Sequence, residues 1–511
     1  MKPRSRGGAS LVAAGILFSR IAGFIRTYYF NYYFGLSAAA DAFNAALRIP
    51  NLLQNLFGEG SLSASFIPVY SGLLARDEGE EAGRVAGAIF AILALVTSVI
   101  VAVGVLATPL MIGVIAAGFE PERRVLAIPL VRIFFPGAGL LVMSAWCLGI
   151  LNSHRKFFLS YSAPVLWNLA MIVALIGFGK QSAMERLAVI VAWASVIGSG
   201  ATFLVQVPFV LRLVPALRIR LAFDPENVRT VIRNFVPAFF SRGVVQLSAF
   251  VDTWLASFLP DGALTGLLNA QTLYLLPISL FGMSISASEL PEMSSATGGE
   301  SEVAEIILKR LTNGLRRISL LVIPSVVVFI ALGDMLVGGI FQSRTGRFTG
   351  ADTQYVWVIL AGSGIGLLAS TQGRLYSSAF YALKDTRTPM RFAIVRVTLT
   401  TVLGYICALK LPPLLGLDLK LGAAGLTASA GVSGWIEFLL LRHALSKRIG
   451  KARVGVAWTA RLWGSAITAS AMAWAIKLHW PIHQPRIAAL VTLIPFGLAY
   501  ILLAGPRQFR R

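Results

Sequence analysis

Apolar residues run along this chain in stretches of roughly twenty or more, separated by short segments dense in charge, and the stretches recur about fourteen times. They fall near residues 8 to 34, 40 to 71, 85 to 116, 125 to 151, 159 to 178, 187 to 211, 230 to 258, 263 to 286, 312 to 340, 354 to 382, 389 to 409, 421 to 445, 456 to 478 and 485 to 504. Sustained Leu, Ile, Val and Ala over such lengths predicts helices that cross a bilayer, because lipid offers the backbone no partner and each segment must bond within itself. The short alternating strands of a β-barrel are absent from the sequence. The pattern predicts an all-α polytopic membrane protein.

Composition supports this, since 56% of the 511 residues are hydrophobic and only 13% charged. The excess of base, 45 Lys and Arg against 23 Asp and Glu, borders the apolar stretches; it reads as a topology signal that also attracts anionic membrane lipids, and no nucleic-acid partner is expected. With the start of the chain inside, about 28 of the bases fall in termini and inside loops, about 10 in outside loops and about 7 within spans. That asymmetry predicts cytoplasmic termini. The first twenty residues are basic and then apolar, like a signal peptide, but SRIAGFIR continues into more apolar sequence, so the segment is expected to stay attached. Cys147 and Cys407 fall in predicted spans without a spacing motif, which supports neither a disulfide nor a metal site.

The chain also repeats itself. LFGEGSLSASFIPVYS at 56 to 71 returns as LFGMSISASELPEMS at 280 to 294, an offset of 223 residues that sets Pro291 over Pro68. NSHRKFFLSYSAP ends at Pro164 and SSAFYALKDTRTP at Pro389, 225 residues later. Six predicted helices fill each interval, and an even number preserves orientation, so the halves read as parallel repeats expected to enclose a central cavity. The expected organisation is an N-terminal six-helix lobe at 1–223, a C-terminal six-helix lobe at 224–450 and two extra helices at 451–511. SSATGGESEVAEIILKR, ahead of the ninth stretch, reads as a loop entering an amphipathic surface helix.

Within this apolar background, charges stand out. Arg20 and Arg26 lie in the first stretch, Arg48 in the second and Arg132 in the fourth. A buried arginine costs from about 3 to more than 10 kcal/mol unless it faces water, a counter-charge or an anion. At the helical rise, Arg20 lies roughly 18 Å and Arg26 roughly 27 Å beyond residue 8, a distance that an arginine stem does not easily cover by snorkelling, although Arg26 is nearer the outer interface. Guanidinium suits phosphate or pyrophosphate, because its fork makes paired hydrogen bonds and stays charged. The second stretch adds Asp41 and Glu59; Arg48 and Glu59 share a helix face but lie roughly 16 Å apart along it. Asp41 also reads as a helix-start cap, and Pro50, Gly58 and Gly60 as the site of a bend. Arg242, Asp252, Arg374, Arg396 and Glu437 are the remaining ionisable groups in or near spans, with Asp252 a candidate for a structural ion pair or a coupling cation.

Enzyme signatures are missing. His154, His443, His479 and His483 lack metal-ligand spacing, and neither a Walker loop nor GxGxxG occurs. The reading is a transporter rather than an enzyme, without a cofactor apart from a coupling cation of unknown identity.

SRIAGFIR, FGLSAAADAFNAALRIPNLLQNLFGEGSLSASFIPV, VDTWLASFLPDGALTGLLNAQTLYLLP and AFYALKDTRTP together resemble the MurJ/MviN family of lipid II flippases, most specifically over residues 19 to 68. The resemblance implies the two-lobed fold of the multidrug/oligosaccharidyl-lipid/polysaccharide exporter superfamily, with two C-terminal helices forming a lipid-tail groove. It implies a bacterial inner-membrane protein, functional as a monomer, that moves a polyprenyl-pyrophosphate-linked peptidoglycan precursor from inner to outer leaflet by alternating access. Arg20 and Arg26 match the family's cavity arginines, and Asp41 and Glu59 match its second-helix acids; beside that match Arg48 is expected as a further pyrophosphate contact, with Arg48, Arg132 or Arg242 the candidates to compensate for missing family arginines. The chain departs from the family at Gln54 and Thr272, where arginines are common, and at Thr27, where an acid often stands. A flippase for another polyprenyl-linked glycan and a cation-coupled exporter of small molecules are the alternative readings.

Overall fold

The structure, a computed structural model, describes residues 6–221, 226–479 and 483–505; of residues 6–13, 59 and 240–249 it describes the backbone only. The chain divides into two compact units, one up to Trp254 and one from Leu255. The first contains α1 (Arg6–Phe34), α2 (Ala38–Phe57), α3 (Glu59–Ala75), α4 (Gly79–Leu106), α5 (Thr108–Ile115), α6 (Pro121–Ser153), α7 (Phe157–Ser162), α8 (Pro164–Phe178), α9 (Met184–Leu204) and α10 (Val207–Leu213); the division falls inside α11 (Glu226–Ser257). The second contains α12 (Ala263–Pro277), α13 (Ser284–Ser294), α14 (Glu300–Ala331), α15 (Gly333–Phe341), α16 (Gly350–Ala382), α17 (Arg387–Tyr405), α18 (Leu411–Leu414), α19 (Gly422–Ile449), α20 (Val456–His479) and α21 (Pro485–Ala504). No strand occurs among the described residues.

By length and composition, ten helices or helix pairs among the described residues can cross a membrane. The four other stretches expected from the sequence fall on α1, α2 with α3, α11 and α20, which are helical but carry more polar or charged side chains along their length. The outer faces are apolar: Leu106 and Leu414 are each 80% exposed and Leu502 70%, the reverse of a water-soluble surface and what lipid as solvent requires.

Because lipid is as apolar as a protein core, close packing and internal hydrogen bonds hold such helices together. In the first unit Phe66, Tyr70, Val142, Trp146 and Ile150 are buried in one cluster, and the Trp146 indole donates to the Ala86 carbonyl at 3.1 Å. Hydroxyls in the interior return to their own helix: Ser65 donates to the Ser61 carbonyl at 2.7 Å, Thr202 to Gly198 at 2.8 Å and Thr371 to Leu367 at 2.6 Å. In the second unit α16 packs along α19 where Gly366 meets Gly431; a Cβ on Gly362, one turn away, would lie 2.5 Å from the Thr427 hydroxyl. The last two helices pack on α14 and α15 of the same unit. There Tyr500 donates to the Leu320 carbonyl at 2.7 Å, Trp474 to the Ala331 carbonyl at 2.9 Å, and Lys477 pairs with Asp334.

The repeat is visible in backbone detail. α6 and α16 are each followed, two residues past their last helical one, by a residue of positive φ, Arg155 at 60° and Lys384 at 59°, and the N–H groups there turn back identically. Arg155 bonds Asn152 and Lys156 bonds Leu151, as Lys384 bonds Tyr381 and Asp385 bonds Phe380. Here the offset is 229 residues, against 225 at Pro164 and Pro389. The first unit uses the extra residues to make α7, which has no counterpart in the second.

Candidate functional site

Two local features shape the region around the predicted arginines. α2 starts where Ser37 accepts the Ala40 N–H at 3.2 Å, with Asp41 in its first turn, buried to 1% exposure. It stops at Gly58, whose N–H bonds the Gln54 carbonyl at 2.7 Å. α3 begins at once, and the Ser61 hydroxyl reaches back across the break to the Leu56 carbonyl at 2.6 Å. The break falls at the glycines the sequence marked as a bend, and α2 and α3 on either side of it both pack on α6.

Beside it, α1 runs along α7 and α8. The Arg26 guanidinium sits 4.7 Å from the centre of the Trp167 ring, a cation–π contact that strengthens as water is excluded. The indole is fixed from its other end, donating to the Ser195 hydroxyl on α9 at 2.8 Å. Asn168, next in sequence, donates to the Pro164 carbonyl at 3.2 Å.

These elements enclose a cavity of 540 Å³ within the first unit, lined by Arg26, Trp167, Asn51, Gln54, Asn168 and Ser144, among others. Ser144 is held there by buried Gln206, whose side-chain amide donates to it at 2.6 Å. No acidic side chain lines the cavity among the described residues. Arg26 has no carboxylate partner among them, so the described lining combines a guanidinium with amides and hydroxyls able to donate or accept. Such a lining can hold an anion with a hydroxyl-rich group attached.

The other predicted residues are distributed around this cavity or away from it. Gln54 lines it, on the same side of α2 as Asn51 and Asn55. Arg48 is half-buried on α2; its Nη1 is buried without a hydrogen-bond partner among the described residues, and Asp252 of α11 acts on it electrostatically. Arg20 and Arg132 are exposed and do not line the cavity. Glu59 opens α3 and Arg242 lies in α11, with both side chains outside the described residues. Thr272 lies in the other unit, half-buried on α12, where its hydroxyl returns to the Leu268 carbonyl at 2.9 Å. Sequence reasoning missed Trp167, Asn168, Asn51 and Ser144. The spacing of Asn51, Gln54 and Asn55 at one helical face was the available signal for α2.

A second cavity, 730 Å³, lies in the C-terminal unit beside the start of α20. Its walls include Leu315, Phe438, Trp435 and Trp463, and Arg442, Lys451 and Arg453 are its cations.

Helices with apolar outer faces and a cationic, polar cavity within one unit define a multi-pass membrane protein of transporter architecture. Solved structures share that fold: a lipid II flippase MurJ in an inward closed conformation matches with a TM-score of 0.79 at 23% identity, covering 98% of this chain and 100% of that one. An inward-facing multidrug resistance MATE family transporter matches with a TM-score of 0.65 at 17% identity, over 84% and 95%. The chain belongs to the lipid II flippase MurJ family, whose model matches residues 30–486. The lipid II flippase MurJ of Burkholderia cenocepacia is 30% identical over 98% of both chains, and the probable lipid II flippase MurJ of Vibrio cholerae is 27% identical over 97% of this chain and 95% of its own.

Proposed function

We propose that this protein moves lipid II, the polyprenyl-pyrophosphate-linked peptidoglycan precursor, from the inner to the outer leaflet of a bacterial inner membrane. Family membership over nearly the whole chain supports the substrate. The observation that carries the site is the Arg26 guanidinium, without a carboxylate partner among the described residues, facing a polar cavity from a membrane-embedded helix. On this reading Arg26 takes a pyrophosphate oxygen while the cavity amides and hydroxyls meet sugar hydroxyls. Arg48, whose Nη1 has no hydrogen-bond partner among the described residues, adds positive potential on α2. The aromatic and aliphatic cavity beside α20 suits part of the polyprenyl tail. The carrier alternates between inward and outward access as a monomer with cytoplasmic termini, needs no bound cofactor, and responds to ligand or membrane potential only through their different interaction with the two states.

Reconstitution tests this directly. Labelled lipid II should reach the outer leaflet of liposomes only when the protein is present, and Arg26→Ala should abolish the signal while the protein still inserts. The MATE-like fold favours a second reading, export of small molecules; dye efflux without lipid movement would select it.

A further inference from the structure

α16 and α6 hold the same place in the two repeats and close with the same turn, one that α3 also makes at Asp77; aligning them on it gives a 229-residue register. In that register Gly366 lies over Gly137, each the glycine at which its helix meets the next long one, α19 or α9. Ser370 then lies over Leu141 and Arg374 over Ala145. Leu141 and Ala145 both line the cavity of the first unit. The C-terminal unit therefore carries an arginine at the repeat position where the N-terminal unit has only a methyl group.

Arg374 lies eight residues before the end of α16 at Ala382, roughly 12 Å along a helix that spans the membrane. Its surroundings within the unit are polar. Ser370, one turn earlier on the same face, accepts the Tyr274 hydroxyl at 3.2 Å, and Tyr274, Arg396 and Glu437 all act on Arg374 electrostatically. Glu437 is already engaged, holding Arg396 at 3.1 Å. Two cations thus share one carboxylate, and Arg374 has no ion pair or side-chain hydrogen bond among the described residues. Arg374 is exposed, so its guanidinium is open to a ligand, and at this depth an anion there supplies the negative charge that the shared carboxylate does not.

The geometry points to an anion-binding site of the C-terminal unit at Arg374, beside the Arg396–Glu437 pair, that takes a phosphate or carboxylate group of the transported headgroup. This rests on the proposed function and extends it.

The test is binding of two lipids, undecaprenyl pyrophosphate and complete lipid II, to the purified full-length protein and to Arg26→Gln, Arg374→Gln, Arg374→Lys and Glu437→Gln. Arg374→Gln should weaken binding about tenfold, the scale of one charge-assisted hydrogen bond, and Arg374→Lys much less. Weakening for both lipids assigns the pyrophosphate to Arg374; weakening for lipid II alone assigns a peptide carboxylate. Glu437→Gln removes the neighbouring negative charge and should tighten binding about threefold, which carries the test if Arg374→Gln does not fold. Wild-type affinity for both lipids in Arg374→Gln, or unchanged affinity in Glu437→Gln where Arg374→Gln is unfolded, overturns the site. If Arg26→Gln weakens binding meanwhile, the proposed function stands without it. A wild-type protein that binds neither lipid overturns the proposed function as well.

Discussion

At the scale of single residues, the contact between Arg26 and Trp167 has the sharpest consequences. A flat guanidinium can lie over an indole and still present N–H groups edge-on to an oxyanion, whereas a lysine ammonium can do only one of these well. We expect Arg26→Lys to retain only a minor fraction of lipid II transport in proteoliposomes, and Trp167→Leu to lower it about two- to tenfold while leaving thermal stability near wild type. Asp385 is a structural counterpart outside the membrane: it accepts the Arg387 and Thr388 N–H groups at 3.1 and 3.0 Å, the Thr388 hydroxyl at 2.7 Å, and an ion pair from Arg448 at 2.8 Å. The Thr388 donors, with Arg448 adding to them, hold its carboxyl below the usual range. Asp385→Asn should cost about 1 kcal/mol, the scale of a lost helix-start cap, seen as a lower melting temperature at neutral pH.

What was legible at this scale follows from how each residue signals itself. Arg26 announces itself in sequence, because a charge deep in an apolar run is costly wherever the chain folds. Trp167 does not: it looks like any interfacial aromatic, and only folding brings it from α8 to α1. Arg20 carries the same sequence signal as Arg26 yet is exposed, since its direction depends on the helix face that meets α7 and α8. The neutral Gln54, which breaks the family's arginine pattern, nevertheless lines the cavity.

Elements impose their own tests. α16 and α19 touch where Gly366 meets Gly431, and a side chain at either position would collide with backbone. Gly366→Val should destabilise the protein by at least about 1–3 kcal/mol, the usual cost of overpacking, measured as a loss of folded protein in detergent. The end of α6 adds a pH dependence. His154 lies 3.0 Å from the Tyr70 hydroxyl through Nε2, and burial, with Lys156 adding to it, lowers its pKa below the ordinary value of 6.5. Because the folded state favours the neutral ring, the stabilisation is complete above the unfolded value and is lost as pH falls through the lower folded one. Melting temperature should therefore drop on acidification below about pH 6.5, and His154→Gln should flatten that drop. The paired serines and prolines of the repeat revealed this level of structure in the sequence. They missed the inserted α7, because the extra residues between Arg155 and Pro164 carry no signature separating an added turn from a longer loop.

For the whole molecule, the class was readable because lipid imposes one rule on every span. The exact number of crossings was less so. α1, α2, α11 and α20 carry polar or charged side chains within their apolar runs, and on α1 and α2 some of these, Arg26, Asn51 and Gln54, line the cavity. Transport should follow the same division: neutralising Arg26 or Arg374 should reduce lipid movement in liposomes, while neutralising exposed Arg132 should leave it within about twofold of wild type.

α17 introduces a dependence of another kind. Only Pro389 and Gly404 of its residues are buried, and one face rests on α19, so most of its side chains, exposed Ile394, Val395, Val397 and Val402 among them, are open to the surroundings. The helix that carries Arg396 is thus positioned partly by bilayer thickness, and hydrophobic mismatch tilts such a helix at modest energetic cost. Shortening or lengthening the host lipids by a few methylenes should change the turnover of this carrier without any change in its sequence.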